Sequence, residues 1–303
     1  MKTSIIGVGH VGSTLAYTLV LKGLTNELVL VDRNLEKATS DAYDLIHSLA
    51  FTDHVMNIKA GNMDATKNSD VIVITLSVPW NSSFKTRNDL APGNINLLKK
   101  VLPDLKRLSP EAVYLIITNP VDVITYYAIQ VAGLNPDKVL GIGTLIDSAR
   151  FRKYLSDHKG IHPDDIRAYI LGEHGESQFT ALSISYAGGE HIKEEAEAAE
   201  AFINSTHSAY EIVKGKGYTN FGIAIATSLV MESIYLDNNR TIPVSTLVNG
   251  QWGINDVCLS LPAIIGRKGI VRTITPDLND NEVSSFKRSA EIVKKIINMA
   301  RGH

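Results

Sequence analysis

The sequence has few of the residues that staple or anchor a chain. Cys258 is the only cysteine among 303 residues, which excludes an intrachain disulfide framework and a metal centre built from thiolates. No run of 18 apolar residues occurs, and the opening MKTSIIGVGH carries no long apolar signal core with a cleavage site. Export and membrane insertion are therefore not expected, and a reducing cytoplasm is. Neither sign of charge dominates: 30 Lys and Arg face 32 Asp and Glu, for a net charge of -2. With no global field to recruit nucleic acid or an anionic membrane, a charged ligand has to be met by local groups. The nine histidines include no HExxH or similar close pair, which argues against a metal hydrolase. Internal repeats and low-complexity tracts are also lacking, and the acidic run Glu194 to Glu200 reads as the solvated face of a helix.

Apolar residues make up 44% of the chain, enough for a large core in a length that accommodates two domains. Short apolar runs without period-two alternation stand at 4–6, 28–31, 71–74 and 113–117, with a weaker one at 138–141. Helix-like stretches at 12–22, 35–49 and 94–108 lie between them. Strands buried on both faces and alternating with helices predict an α/β fold with a doubly wound parallel sheet over residues 1–142. Beyond residue 143, helical stretches at 148–159, 192–214, 221–236 and 281–301 flank strand candidates at 168–171, 183–187 and 241–249. This texture predicts a mixed α+β domain over 143–303, packed against the first without a linker.

Gly7-Val8-Gly9-His10-Val11-Gly12 is a G-x-G-x-x-G stretch that follows the first strand and opens the first helix. In that setting Gly7 allows a tight turn, Gly9 admits a pyrophosphate to the backbone, and Gly12 lets helix and strand approach. The helix start at His10 and Val11 offers free N–H groups to the phosphates. Asp32, twenty residues after Gly12, can accept hydrogen bonds from a ribose diol and would repel a 2′-phosphate, so NAD is expected rather than NADP.

A histidine between acids and glycines, in LGEHGES at 171–177, reads alone as a surface turn. It is joined by TNPVDV at 118–123, TLIDSARFR at 144–152 and KTRNDL at 85–90. With GVGHVG, and in this order, these stretches resemble the L-lactate and L-malate dehydrogenase family from the first strand to the last helix. The resemblance implies a Rossmann domain followed by a substrate domain. Reduction of a 2-oxo acid needs a hydride donor, a proton donor, a group that polarises the carbonyl and an anchor for the carboxylate. His174 suits the proton role because imidazole titrates near neutral pH. The family's choice of acid to hold its tautomer is Asp147. Arg150, three residues on along one helix, presents a planar fork that matches a carboxylate. Arg87 lies in a polar loop, 79–92, which the resemblance makes a lid that delivers the guanidinium to the carbonyl oxygen. It also implies that Asn119 meets both cofactor and substrate, that its bond to Pro120 is cis, and that Thr219 supplies a substrate-side hydroxyl. Glu173 matches the family pattern but is assigned no chemistry.

Within this family the position six residues before the lid arginine reads the far end of the substrate, with arginine in malate enzymes. Here it is Asn81, and no arginine occurs between Val78 and Thr86. A second carboxylate would stay unpaired in a closed pocket, which disfavours malate. The lid VPWNSSFKTR, Gln178-Phe179 and Gly-Lys-Gly-Tyr-Thr at 215–219 resemble most the branch acting on bulkier acids such as L-2-hydroxyisocaproate, with pyruvate remaining open. Trp80 and Phe84 are candidates for an apolar pocket lining. Bacterial lactate dehydrogenases often bind fructose 1,6-bisphosphate at positions matched here by Arg152 and Arg167, the second departing from the usual histidine. The family is dimeric or tetrameric, and a homotetramer is expected. A malate dehydrogenase and a non-catalytic dinucleotide-sensing protein of the same fold are the alternatives.

Overall fold

The computed structural model describes residues 1–81, 84, 86–193 and 195–301. Ser82, Ser83 and Lys85 of the lid, and Glu194 of the acidic run, lie outside the described residues. The first half runs β1 (Lys2–Ile6), α1 (His10–Lys22), β2 (Glu27–Val31), α2 (Leu35–Ser48), β3 (Asn57–Ala60), β4 (Val71–Ile74), α3 (Ala91–Leu108), β5 (Val113–Ile116), α4 (Val121–Ala132) and β6 (Val139–Gly141). All six strands pair in parallel, in the order β3-β2-β1-β4-β5-β6. Alternate residues of each strand feed different layers. Ile6, Val29, Ile72 and Ile74 face the layer that includes α3 and α4, whereas Ile5, Leu28, Val71 and Val73 face the one that includes α1 and α2. Both faces are dry, which is why these strands carry no polar alternation.

The second half runs α5 (Leu145–Lys159), β7 (Ile166–Arg167), β8 (Ile170–Leu171), β9 (Phe179–Thr180), β10 (Tyr186–Ala187), β11 (Glu190–His191), α6 (Glu195–Lys216), α7 (Phe221–Leu236), β12 (Arg240–Asn249), β13 (Asn255–Gly266), β14 (Gly269–Thr273) and α8 (Asp280–Arg301). Its three longest strands form no separate sheet. β12 pairs antiparallel with β6, through Ser245 opposite Gly141, and the sheet continues through β13 to β14 as nine strands. Helix α8 shares a core with α3 and α4, α7 shares one with α1, and a smaller core gathers Phe151, Leu155, Ile166 and Ala201. The two halves are thus joined by main-chain hydrogen bonds as well as by packing.

Several local expectations need correction. The strand candidate at 183–187 is a 3-10 turn, Leu182–Ile184, followed by the two-residue β10, and of that at 168–171 only Ile170–Leu171 is strand, as β8, with β7 ending just before the candidate at Arg167. The lid segment becomes regular at Arg87. Arg87–Leu90 is a 3-10 turn closed by a capping box, with the Thr86 N–H donating to Asp89 Oδ2 at 2.8 Å, and it leads straight into α3. Among the described residues no single helix is long and apolar enough to cross a membrane.

Candidate active site

The order of the parallel strands reverses between β1 and β4, and in such sheets the crevice beyond the strand ends is where ligands bind. The glycine loop lies there. Gly7 has φ +102°, and a side chain on it would sit 2.6 Å from the Leu76 nitrogen after β4. A Cβ on Gly12 would stand 2.1 Å from the Gly7 carbonyl oxygen, whereas one on Gly9 would meet nothing within 4 Å. Gly9 therefore faces open space at the start of α1, where no side chain caps the helix and the first-turn N–H groups of His10, Val11 and Gly12 begin. Asp32 Oδ2 accepts the Val8 N–H at 2.7 Å and Oδ1 accepts the Asn34 N–H at 2.9 Å. Each oxygen keeps a further lone pair for a ribose hydroxyl. At the end of β5, Asn119 Oδ1 is buried with no hydrogen-bond partner, and an orphaned acceptor beside the crevice suits a ligand carrying an amide or hydroxyl donor. These groups fit NAD.

Asn119 is held from two sides. Its peptide bond to Pro120 is cis. Its carbonyl accepts from Asn94 Nδ2 at 2.7 Å, while Asn94 Oδ1 accepts the Val78 N–H at 2.7 Å. Asn94, fully buried in α3, thereby ties the root of the lid to the turn after β5. The sequence reading passed over it, because one asparagine in an amphipathic helix carries no signal of its own.

Four expected site residues converge. His174 Nδ1 faces Asp147 Oδ2 at 2.6 Å, Arg150 Nη1 donates to Asp147 Oδ1 at 3.1 Å, and Arg87 Nη1 lies 3.0 Å from His174 Nε2. An arginine only donates, so Nε2 is the acceptor here and Nδ1 carries the proton toward Asp147. Burial acts to raise the Asp147 carboxyl, but His174, by its charge when protonated and by its hydrogen bond in either state, and the charges of Arg150 and Arg87 outweigh it and hold it below the usual range. Arg87 keeps accessible surface at the cleft mouth, yet the crowding of protein atoms pulls its guanidinium down, with Asp147 opposing and Arg150 adding. It remains a cation. Glu173 closes the turn that carries His174: its Oε2 accepts the Ser177 hydroxyl at 2.5 Å, and a Cβ at Gly175 would strike its Oε1 at 2.6 Å.

A fifth group was missed. Asp122 sits in the first turn of α4, 2% exposed. It accepts the His174 main-chain N–H on Oδ2 at 2.7 Å and the Ser245 hydroxyl on Oδ1 at 2.5 Å. Burial pushes its carboxyl up to about 6 against those bonds.

Thr219 is half-buried in the turn before α7. Asn81 is exposed, and its carbonyl accepts the Phe84 N–H at 3.2 Å. Trp80 and Phe84 pack edge to face on each other at 5.7 Å. Phe179 lies on β9 with its ring against Phe286, so it belongs to the core. Arg152 and Arg167 line a cavity of about 750 Å³ with Arg240 and Asp164, and Arg152 Nε is buried there without a partner. The stacking of His10 on Tyr218 at 3.6 Å, which connects the glycine loop to the turn bearing Thr219, was not foreseen.

A doubly wound dinucleotide-binding half joined to a lobe carrying a histidine–aspartate pair has the layout of an NAD-dependent dehydrogenase. The lactate/malate dehydrogenase NAD-binding domain family matches residues 1–141, and the corresponding alpha/beta C-terminal domain family matches 144–302. An L-lactate dehydrogenase of Thermoanaerobacter sp. (strain X514) is 40% identical over 306 residues, covering 98% of each chain. One of Clostridium perfringens (strain SM101 / Type A) is 36% identical over 303 residues, covering 97% of this chain and 95% of that one. The crystal structure of a lactate dehydrogenase from a Medee basin deep-sea metagenome library superposes with a TM-score of 0.95 at 33% identity, covering 99% and 98%. That of the minor L-lactate dehydrogenase from Enterococcus mundtii, in a ligand-bound form, gives 0.94 at 29%, covering 98% of both. The chain belongs to the lactate/malate dehydrogenase family, and its cofactor is NAD.

Proposed function

We propose that the protein interconverts a 2-oxo monocarboxylic acid and the corresponding L-2-hydroxy acid, with His174 as the acid/base. The observation that carries this is the placement of one imidazole between Asp147 and Arg87, at 2.6 and 3.0 Å. NAD, held by the glycine loop, Asp32 and Asn119, supplies or takes the hydride when bound. Arg150 anchors the substrate carboxylate through its fork, which no lysine can imitate. Arg87 faces the position of the carbonyl oxygen and stabilises the charge that develops there. In reduction, His174 donates the proton on Nε2 to that oxygen while Asp147 holds the Nδ1 proton and stabilises the imidazolium. In oxidation, the neutral ring takes the hydroxyl proton on Nε2, the nitrogen that accepts from Arg87 Nη1.

Asn81, in place of an arginine, leaves a dicarboxylate's second charge without a partner, so a monocarboxylic substrate is favoured. The lid sequence with Trp80 and Phe84 favours a branched or broad side-chain range, and Thr219 is assigned to the substrate side. The test is NADH oxidation with pyruvate, 2-oxoisocaproate and oxaloacetate, compared as kcat/KM. A win for 2-oxoisocaproate upholds the branched-chain reading, a win for pyruvate replaces it with lactate, and a win for oxaloacetate overturns the reading of Asn81. A cytoplasmic homo-oligomer, dimer or tetramer, goes with the same reading. The cavity at Arg152 and Arg167 is proposed to take a sugar bisphosphate; a velocity curve unchanged by millimolar fructose 1,6-bisphosphate removes that part.

A further inference from the structure

The turn between α6 and α7 makes contacts that the chemistry above does not use. Tyr218 lays its ring on that of His10, the first residue of α1, with centroids 3.6 Å apart and planes 3° from parallel. Asn220, 9% exposed, donates from Nδ2 to Thr14 Oγ1 at 2.7 Å. Thr14 donates in turn to the His10 carbonyl at 2.7 Å, so both contacts land on the first turn of α1, where residues four apart share a face. Lys216, at the end of α6, completes the cluster. Its ammonium lies 3.7 Å from the Phe221 ring centroid and 5.0 Å from that of Tyr218, and it donates to Asn220 Oδ1.

Thr219 is the residue between these two anchors. The turn that carries it has little stiffness of its own: a Cβ on Gly215 or Gly217 would meet nothing within 4 Å, and Gly217 has φ +85°. Glycines in open space leave many conformations accessible, so the turn cannot by itself fix the place of the Thr219 hydroxyl. Its neighbours' hold on α1 does so. Asn220 supplies one directional hydrogen bond, and the ring stack supplies the contact area that stops the turn from pivoting about it. The G-x-G-x-x-G pattern leaves position 10 open, and hydride transfer asks nothing of position 218. The pairing of two rings across the two halves of the chain is therefore what calls for a reason.

We propose that the His10–Tyr218 stack is a clasp by which the cofactor loop positions the substrate-side turn, making both rings positioning residues for the oxo acid. His10 then serves two ligands, the dinucleotide through its main-chain N–H and the oxo acid through its ring, by way of Tyr218 and Thr219. The inference rests on the assignment of Thr219 to the substrate side.

The test begins with Tyr218→Ala, which removes the stack and leaves the glycine loop as it is. Its KM for the preferred oxo acid should rise about fivefold, the worth of one aromatic pair. Its kcat, and its NADH Kd read by fluorescence titration, should stay within about twofold of the parent, because a lost ground-state contact appears in KM alone. A loosened fold would instead lower kcat and weaken NADH binding together. Tyr218→Phe keeps the ring and should return KM to near the parent value. His10→Ala should raise KM as Tyr218→Ala does, and the double alanine variant should cost no more than either single one, since one contact is not lost twice. An unmoved KM in the alanine variants, a Tyr218→Phe as impaired as Tyr218→Ala, or a double variant whose loss is the product of the two singles overturns the clasp. Should Tyr218→Ala fail to fold, His10→Ala, at an exposed position, reads the same quantity. Thr219→Ala separates the two levels: an unmoved KM there overturns the assignment of Thr219 itself, whereas a raised KM there beside an unmoved Tyr218→Ala overturns only the clasp.

Discussion

Asp122 sets a measurable stability cost. Its carboxyl is raised from 3.8 to about 6 by burial, so the folded protein binds that proton more tightly than the unfolded chain does. The sign is opposite to that of an ordinary ion-paired aspartate. This group's contribution is greatest below the unfolded value and is lost as pH rises through the folded one. A shift of about two units corresponds to about 3 kcal/mol at pH 8, and about half of it, ~1.5 kcal/mol, develops between pH 5 and pH 8. Asp122→Asn has no proton to lose there. Its exchange of charge-assisted for neutral hydrogen bonds gives an offset that does not vary with pH. The measurement is urea unfolding of both proteins at pH 5 and pH 8 and at one protein concentration, since any subunit association enters the apparent stability. The difference, variant minus parent, should rise by ~1.5 kcal/mol over that range. A difference that is flat or falls with pH would refute the argument that an unpaired carboxylate is buried there.

Other outcomes follow from the same geometry. His174→Ala should lower kcat by several orders of magnitude while leaving NADH binding nearly intact, because the imidazole touches Asp147 and Arg87 rather than the glycine loop; stopped-flow turnover and NADH fluorescence check both. Arg150→Lys gives up the planar fork and should raise KM for the oxo acid roughly thirtyfold, the equivalent of about 2 kcal/mol from one charged hydrogen bond; a KM within twofold would remove Arg150 from the carboxylate. Gly12→Ala forces a methyl to within 2.1 Å of the Gly7 carbonyl. It should cost about 1–3 kcal/mol of stability and weaken NADH binding more than tenfold, read by thermal unfolding and titration.

The parts of this molecule that were legible in the sequence are those where one residue type has one use. The dry strands of the first half, the glycines at 7, 9 and 12, and the acid at Asp32 announce themselves through period and spacing, and the structure gathers them at one crevice. The elements that escaped do so for physical reasons. Helix α4, VDVITYYAIQVA, packs between the sheet and its neighbours, so it shows no polar stripe and its β-branched residues resemble a strand. Strand β3 at the sheet edge, NIKA, is half polar and only four residues long. The extension of the sheet by β12 could not be read at all, because pairing with β6 is a long-range choice made by one backbone contact at Ser245 and Gly141. Asp122 was in plain view within TNPVDV, but an acid in a helix's first turn has an ordinary explanation as a complement to the dipole. Only the fold shows that it points at the histidine.

The nine-stranded sheet has a mechanical consequence. The glycine loop grows from the end of β1, the Asn119 turn from β5, and the Ser245 support of Asp122 from β12, all within one hydrogen-bonded plate. Bending or twisting of such a plate is common-mode motion: it carries the hydride donor's cradle and the acceptor's supports in the same direction. Thermal flexing of the body therefore changes the separation between them little. The distance across which a hydride passes is gauged by the plate, much as a rail gauge is kept by its sleepers while the ground beneath them shifts.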